Sequence, residues 1–245
     1  RGCNTIWKNI MLGLGLSLAK PYRLSKPFNV LDINSLVIYN EYQTWTYSSG
    51  SEVNAWPNHS SLSSNYNLSQ SNKSFFPVEE SGKLNFNNQS INGQLNYSSQ
   101  IDVTDFTLIM SINLNEAVSL TNEGLIGKGL NDLVKLYRGA GNKRINLRLE
   151  GNNYDENNLS ISYPTGDFVL TITRDTSGNV LFYFDTTEVG DLTSNPQYDL
   201  RINQIGSGEL SNVKYDGFIN EVYLFNEVIS EEERENVINF ALNKL

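Results

Sequence analysis

Two-residue alternation of apolar side chains with other residues governs most of the chain from residue 83 onward. Phe106, Leu108, Met110, Ile112 and Leu114 alternate with Thr107, Ile109, Ser111 and Asn113. Ile145, Leu147 and Leu149 alternate with Arg144, Asn146, Arg148 and Glu150. Phe168, Leu170 and Ile172 alternate with Val169, Thr171 and Thr173, and Val180, Phe182 and Phe184 with Leu181, Tyr183 and Asp185. Successive strand side chains point to opposite sides, so each set gives one face to a core and turns the other outward. Turn-rich segments at 139–142, 151–153 and 175–179 separate the runs, with no helix-length periodic segment among them. The pattern argues against a parallel α/β fold and predicts an all-β fold, a sandwich or a barrel, with an antiparallel two-sheet sandwich as the first expectation.

The 245 residues suit one such sandwich of about 200 residues. Charged residues make up 18%, below the roughly 25% of an average soluble domain. Neutral polar residues replace them, with 34 Asn and 26 Ser. The net charge of −9 argues against a nucleic-acid or anionic-membrane partner, which calls for a basic patch. Cys3 is the only cysteine, so no internal disulfide forms and stability rests on the core. Six N-x-S sequons occur, at Asn58, Asn67, Asn72, Asn88, Asn96 and Asn158. A composition this rich in Asn and Ser gives about five by chance, so they say nothing about secretion.

One helix is expected, at the C-terminus. Ser230 is its N-cap and Glu233 completes a capping box, each serving the other's backbone N–H. Glu231, Glu232 and Glu233 complement the helix dipole, and Val237, Ile238, Ala241, Leu242 and Leu245 form an apolar stripe that docks on the sandwich. Residues 40–82 are rich in Ser, Asn and Tyr, with Trp45 and Trp56 among them; that many aromatics implies short strands.

At the other end, residues 10–19 read IMLGLGLSLA between Lys8 and Lys20. Ten apolar residues are too few to cross a bilayer, which needs about 20, and have the length of a signal-peptide core. The chain begins with Arg1, and the run is read as an apolar assembly arm, with Trp7, Ile10, Met11, Leu12, Leu14, Leu16 and Leu18 as its contact residues. A short helix over 5–19 would be weakened by Gly13 and Gly15. Docking on a neighbouring subunit and packing on its own domain stand level. The expected organisation is an arm and linker at 1–29 and a sandwich domain at 30–245.

The segment 217–236, GFINEVYLFNEVISEEEREN, resembles the closing strand and capped helix of concanavalin A-like domains of the laminin-G and pentraxin type. Ile219, Asn220, Glu221, Val222, Leu224, Phe225 and Asn226 fall on the strand pattern, and Ile229, Ser230 and Glu233 on the helix start. Residues 168–190 resemble the central hairpin of that family, with Thr186 where a glycine is usual. Trp56-Pro57-Asn58-His59-Ser60 resembles a variant of its opening element. The resemblance implies a jelly roll over roughly residues 32–242. It implies no one activity, since lectins, hydrolases, receptor modules and virion proteins share such folds.

No catalytic residue is assigned. The family's glucanases carry E-x-D-x-x-E on one strand, and the chain lacks it; Asp155-Glu156 and 231–235 fall in a turn and a helix cap. His59 is the only histidine, in a loop. Calcium is the one candidate cofactor, with Asp185, Asp216 and Asn220 as ligands, because family members hold calcium at a sandwich rim. Exposed aromatics stack on sugars, so Trp56, Asn58, Tyr137, Tyr154 and Tyr183 are the candidate glycan ligands, with Tyr163 also available. The first functional expectation is a non-enzymatic structural and recognition protein of a tailed-phage virion, for decoration, tail or fibre. Its partners would be other virion proteins or a second copy through residues 1–24, with surface glycans as ligands and neither nucleic acid nor a membrane span involved. A secreted carbohydrate-binding module is the second reading, and a divergent glycoside hydrolase or lyase the third.

Overall fold

The computed structural model describes residues 27–61, 66–88, 91–114, 123–129, 131–139, 142–156, 159, 163–164, 166–192, 198–206 and 215–245. The assembly-arm residues from Trp7 to Leu18 lie outside them. The strands in chain order are β1 (Leu36–Asn40), β2 (Thr46–Ser49), β3 (Glu52–Trp56), β4 (Leu68–Ser69), β5 (Val78–Glu80), β6 (Lys83–Asn85), β7 (Asn87–Asn88), β8 (Ile91–Asn92), β9 (Leu95–Val103) and β10 (Phe106–Leu114). They continue as β11 (Glu123–Lys128), β12 (Asp132–Gly139), β13 (Asn142–Leu149), β14 (Asn152–Glu156), β15 (Gly166–Arg174), β16 (Val180–Phe184), β17 (Thr187–Leu192), β18 (Leu200–Ile205) and β19 (Gly217–Phe225), and α1 (Glu231–Leu242) closes the chain.

Antiparallel pairing joins these into two layers. The first runs β1–β19–β10–β15–β16–β17, with β6 beside β1 on the same flank of β19. The second runs β4–β9–β18–β11–β12–β13–β14, and β3 and β5 link the layers. The inward sets named from the alternation, such as Phe106 to Leu114 and Ile145 to Leu149, meet between the layers in the main core. The expected short strands in 40–82 are β2, β3, β4 and β5.

The outward residues of β10 and β15 are not solvated. Thr107, Ile109, Ser111, Val169, Thr171 and Thr173 are buried as completely as their inward neighbours. Helix α1 explains much of this, since Val237, Ile238 and Ala241 pack on Ile109, Val169, Tyr223 and Phe225 in a second core. The capping box is present: Ser230 Oγ accepts from Glu233 N–H, and Glu233 Oε2 accepts from Ser230 N–H. The apolar stripe ends earlier than its sequence, with Leu242 half-buried and Leu245 37% exposed past the helix end.

Two turns are tighter than the sequence implies. The β13–β14 turn is Glu150-Gly151, both with positive φ (46° and 86°), so Asn152 and Asn153 already belong to the strand. At β16–β17, Asp185 takes the left-handed conformation (φ 52°) and its Oδ1 accepts the Val169 N–H at 2.9 Å; this turn closes without a glycine.

Charge ties the end of the helix to the sheet. Lys244 Nζ lies 2.9 Å from the Tyr39 hydroxyl, 3.1 Å from Glu41 Oε1 and 2.8 Å from the buried Glu221 Oε1. The Tyr223 hydroxyl donates to Glu221 Oε2 at 2.6 Å, and its ring stacks on Tyr39 at 4.9 Å. Burial raises the Glu221 carboxyl above the ordinary carboxylate value, and the Lys244 and Tyr223 hydrogen bonds offset this only in part. Burial alone would lower the Lys244 ammonium; its bonds to Glu221 and Tyr39 outweigh that and raise it. Burial raises Tyr39, Tyr97 and Tyr223 as well.

Groups raised in the folded state hold their protons longer there than in the unfolded chain. Unfolded tyrosine and lysine lose theirs from about pH 10 upward. The stability tied to these groups is therefore present below about pH 10 and lost as pH rises further. The melting temperature should fall steeply above that pH, with the phenolate absorbance of Tyr39, Tyr97 and Tyr223 appearing only as the chain unfolds; early titration of all tyrosines would contradict this. Lys244→Met leaves Glu221 buried beside no cation. Because the Lys244 side chain is 21% exposed, the expected cost is about 2 kcal/mol, below the range for fully buried pairs, and urea unfolding measures it.

Candidate functional site on the outer face of the second sheet

The residues expected to bind glycan do not share a surface. Trp56 is fully buried, edge-on to Trp45 at 5.8 Å, and its indole N–H donates to the Glu41 carbonyl at 2.8 Å. It offers no ring face to a sugar. Asn58 Oδ1 accepts the Tyr39 N–H at 2.8 Å, and its Nδ2 donates to the Val37 carbonyl at 3.1 Å and to Ser60 Oγ at 2.9 Å. Ser60 Oγ donates to the same Val37 carbonyl. The W-P-N-H-S segment thus closes the flank of β1 that none of the described strands covers, where an open edge would invite other chains. Tyr183 is 5% exposed under the Arg234 guanidinium, 4.2 Å from its ring centre. Tyr163 is buried, donating to the Arg144 carbonyl, and Tyr154 leans half-buried on the main core.

The three calcium candidates do not converge either. Asp185 lies on the β16–β17 turn opposite β15, whereas Asn220 lies on β19, three strand spacings away by the pairings β16–β15–β10–β19. At about 4.8 Å per spacing that is roughly 14 Å, against cation–oxygen distances of about 2.4 Å. Asp216 precedes the first residue of β19, four residues from Asn220, or roughly 13 Å along an extended chain. Asn220 is the extra residue of a bulge between Ile219 and Glu221, and is fully buried. Among the described residues, no group of three or more His, Cys, Asp or Glu is placed to hold a metal.

Tyr137 leads to a different arrangement. In the β12–β13 ladder Val134 and Leu136 face the main core with Leu147 and Ile145. The opposite side therefore carries Leu133, Lys135 and Tyr137, across from Arg148, Asn146 and Arg144 in register. The Arg144 guanidinium lies 4.1 Å over the Tyr137 ring, a cation–π contact that holds both planes. Tyr137, Arg144 and Arg148 are half-buried, while Lys135 and Asn146 are buried between them. Arg148 Nε donates to the Gly151 carbonyl at 3.2 Å.

Further along the same sheet, Arg201 Nε donates to the buried Asp132 Oδ2 at 2.9 Å, and Asp132 Oδ1 accepts the Glu150 N–H. Gln204 on β18 accepts from Gln94 at 2.9 Å beside Asn96. Amides and guanidiniums are the groups that bond sugar hydroxyls and acids, and of these Arg144 lies over the Tyr137 ring with Asn146 next on the same side of β13. The sequence held a signal for this site: Arg144, Asn146 and Arg148 sit at alternate positions, and Asp132 and Glu150 bracket a stretch with no carboxylate between them.

No family model matches the chain, and no curated protein matches its sequence. Solved structures do resemble its fold. The binding domain of botulinum neurotoxin serotype D/C aligns over 87% of this chain and 53% of that one, with 14% identity and a TM-score of 0.56. Another structure of the D/C binding domain, in complex with rat synaptotagmin II, aligns over the same 87% with a TM-score of 0.56. A Trypanosoma rangeli sialidase aligns over 83% of this chain and 32% of that one, with 14% identity and a TM-score of 0.54. The chain spans about half of the toxin domains and a third of the sialidase. At this identity the likeness establishes an all-β sandwich and nothing finer.

Asn58→Ala removes the partners of Tyr39 N–H and Ser60 N–H together, at an expected cost of about 2 kcal/mol. Chemical denaturation measures it; an unchanged midpoint would free Asn58 for a role in binding.

Proposed function

We propose that this chain is a non-enzymatic recognition and structural module of the concanavalin A-like, laminin-G-like kind, carried on a tailed-phage particle, which holds a glycan on the outer face of its second sheet. The observation that carries the reading is the Tyr137–Arg144 stack flanked by Lys135, Asn146 and Arg148. The closing strand and capped helix support the family assignment, and the absence of the E-x-D-x-x-E pattern supports a non-catalytic role. The apolar run at 10–19 supports assembly with other virion proteins or a second copy. Of the described helices, none is long and apolar enough to cross a membrane. A secreted carbohydrate-binding module is the second reading, favoured by the likeness to a part of a larger sialidase; a divergent hydrolase or lyase is the third.

A glycan array with the full chain, together with polysaccharide turnover and light scattering, separates these. Binding that weakens about tenfold in Tyr137→Ala is expected, with no sugar released and a multimer in solution. A glycan-binding monomer favours the secreted module, and turnover overturns the non-enzymatic reading.

A further inference from the structure

Residues 1–31 carry five cations, Arg1, Lys8, Lys20, Arg23 and Lys26, and no Asp or Glu. The other 214 residues hold 13 cations against 27 acids, so a basic segment adjoins a body of charge −14. Where the two meet, residues 20–27 read KPYRLSKP. Lys20, Arg23 and Lys26 fall at every third position, and so do Pro21, Leu24 and Pro27. Prolines at both ends favour the polyproline II backbone, whose three residues per turn gather each set on one face. Residues 20–26 lie outside the described residues, and Pro27 is the first within them.

Pro27 stands at a cavity of about 250 Å³ between the entry segment and the first turn of α1. Phe28 and Ile33 give the cavity its apolar wall, and Phe28 is fixed edge-on to Phe240 of α1 at 5.9 Å. Glu232, Glu233 and Asp32 stand at its rim. Glu233 is engaged in the capping box, whereas Glu232 is exposed and meets no cation among the described residues. An apolar wall beside an acidic rim matches a segment with an apolar face beside a basic one.

We propose that residues 20–26 seat in this cavity of their own chain, with the Pro21–Leu24 face toward Phe28 and Ile33 and the basic face toward Glu232. Arg23 lies four residues from Pro27, a reach of about 12 Å at 3.1 Å per residue, and Pro27 and Glu232 line the same cavity. So short a tether gives the segment an effective concentration in the millimolar range, against which a second copy must compete. The seat straps the base of the N-terminal segment to α1, on the outer side of the first layer, and leaves the run at 10–19 for assembly. The Tyr137 face belongs to the second layer, so glycan binding and assembly would work from opposite sides of the domain.

Trypsin tests this on the full chain. Arg23–Leu24 is the only bond it can cut within residues 20–27, because proline follows both Lys20 and Lys26. At about 50 mM salt, cleavage there should be about fivefold slower in the wild-type chain than in Glu232→Lys, and the gap should close at about 500 mM. Leu24→Ala should also speed the cut, and Asp102→Lys, the same charge change on the second layer, should leave it unaltered. Lys8–Asn9, outside the seat, serves as the reference bond, and melting temperatures identify any variant that has unfolded. Equal cleavage at Arg23–Leu24 in the wild type and Glu232→Lys overturns the proposal. Protection that grows with protein concentration overturns it in favour of a second copy's segment. Each outcome is read without any sugar present, so the glycan reading stands or falls separately.

Discussion

Strands β10 and β19 pair along nearly their whole length with both faces buried, and much of the rest is arranged around that pair. A strand covered on both sides has no solvated face, so each side chain needs an apolar neighbour or a partner for its polar atoms. The bulge at Asn220 makes this possible in β19. Ile219 faces the main core before it and Val222 after it, a spacing of three that plain alternation forbids. The shift turns Tyr223 and Phe225 outward, and those two rings give α1 an apolar bed. The helix in turn brings Lys244 over Glu221, the acid that the same bulged strand would otherwise bury without a counter-ion.

The features legible in the sequence were those written in neighbouring residues. Alternation in 106–114 and 168–172 located inward faces, and Ser230 with Glu233 located the helix start, because periodicity and capping act within a few residues. What escaped depends on distant partners. Trp56 reads like an exposed sugar platform until Trp45 and the Glu41 carbonyl close over it. Asn58 reads like a loop amide until the flank of β1 takes it. The burial of Ile109 and Val169 requires a helix more than sixty residues later in the chain. The stacking of Arg144 on Tyr137 was hidden differently, since it depends on the register of β12 against β13.

The two sheets divide the labour of the fold. The first takes up the helix on its outer side, over β10, β15 and β19, and becomes a three-layer stack there. The second turns the outer side of β12 and β13 away from both cores, and Leu133, fully buried there, belongs to neither of them. Amide, guanidinium and aromatic groups can be spent on that side without weakening the packing that holds the layers together.

The way Asn58 closes β1 bears on how the protein can be made. Asn58 heads an N-H-S triplet, the acceptor pattern of eukaryotic secretory hosts. Its Nδ2 is bonded inward to the Val37 carbonyl and to Ser60. A host enzyme that reached this amide during synthesis would fix a branched sugar where the segment must lie flat, and the strand edge would stay open. Production in a cell that leaves such triplets unmodified keeps that edge shut.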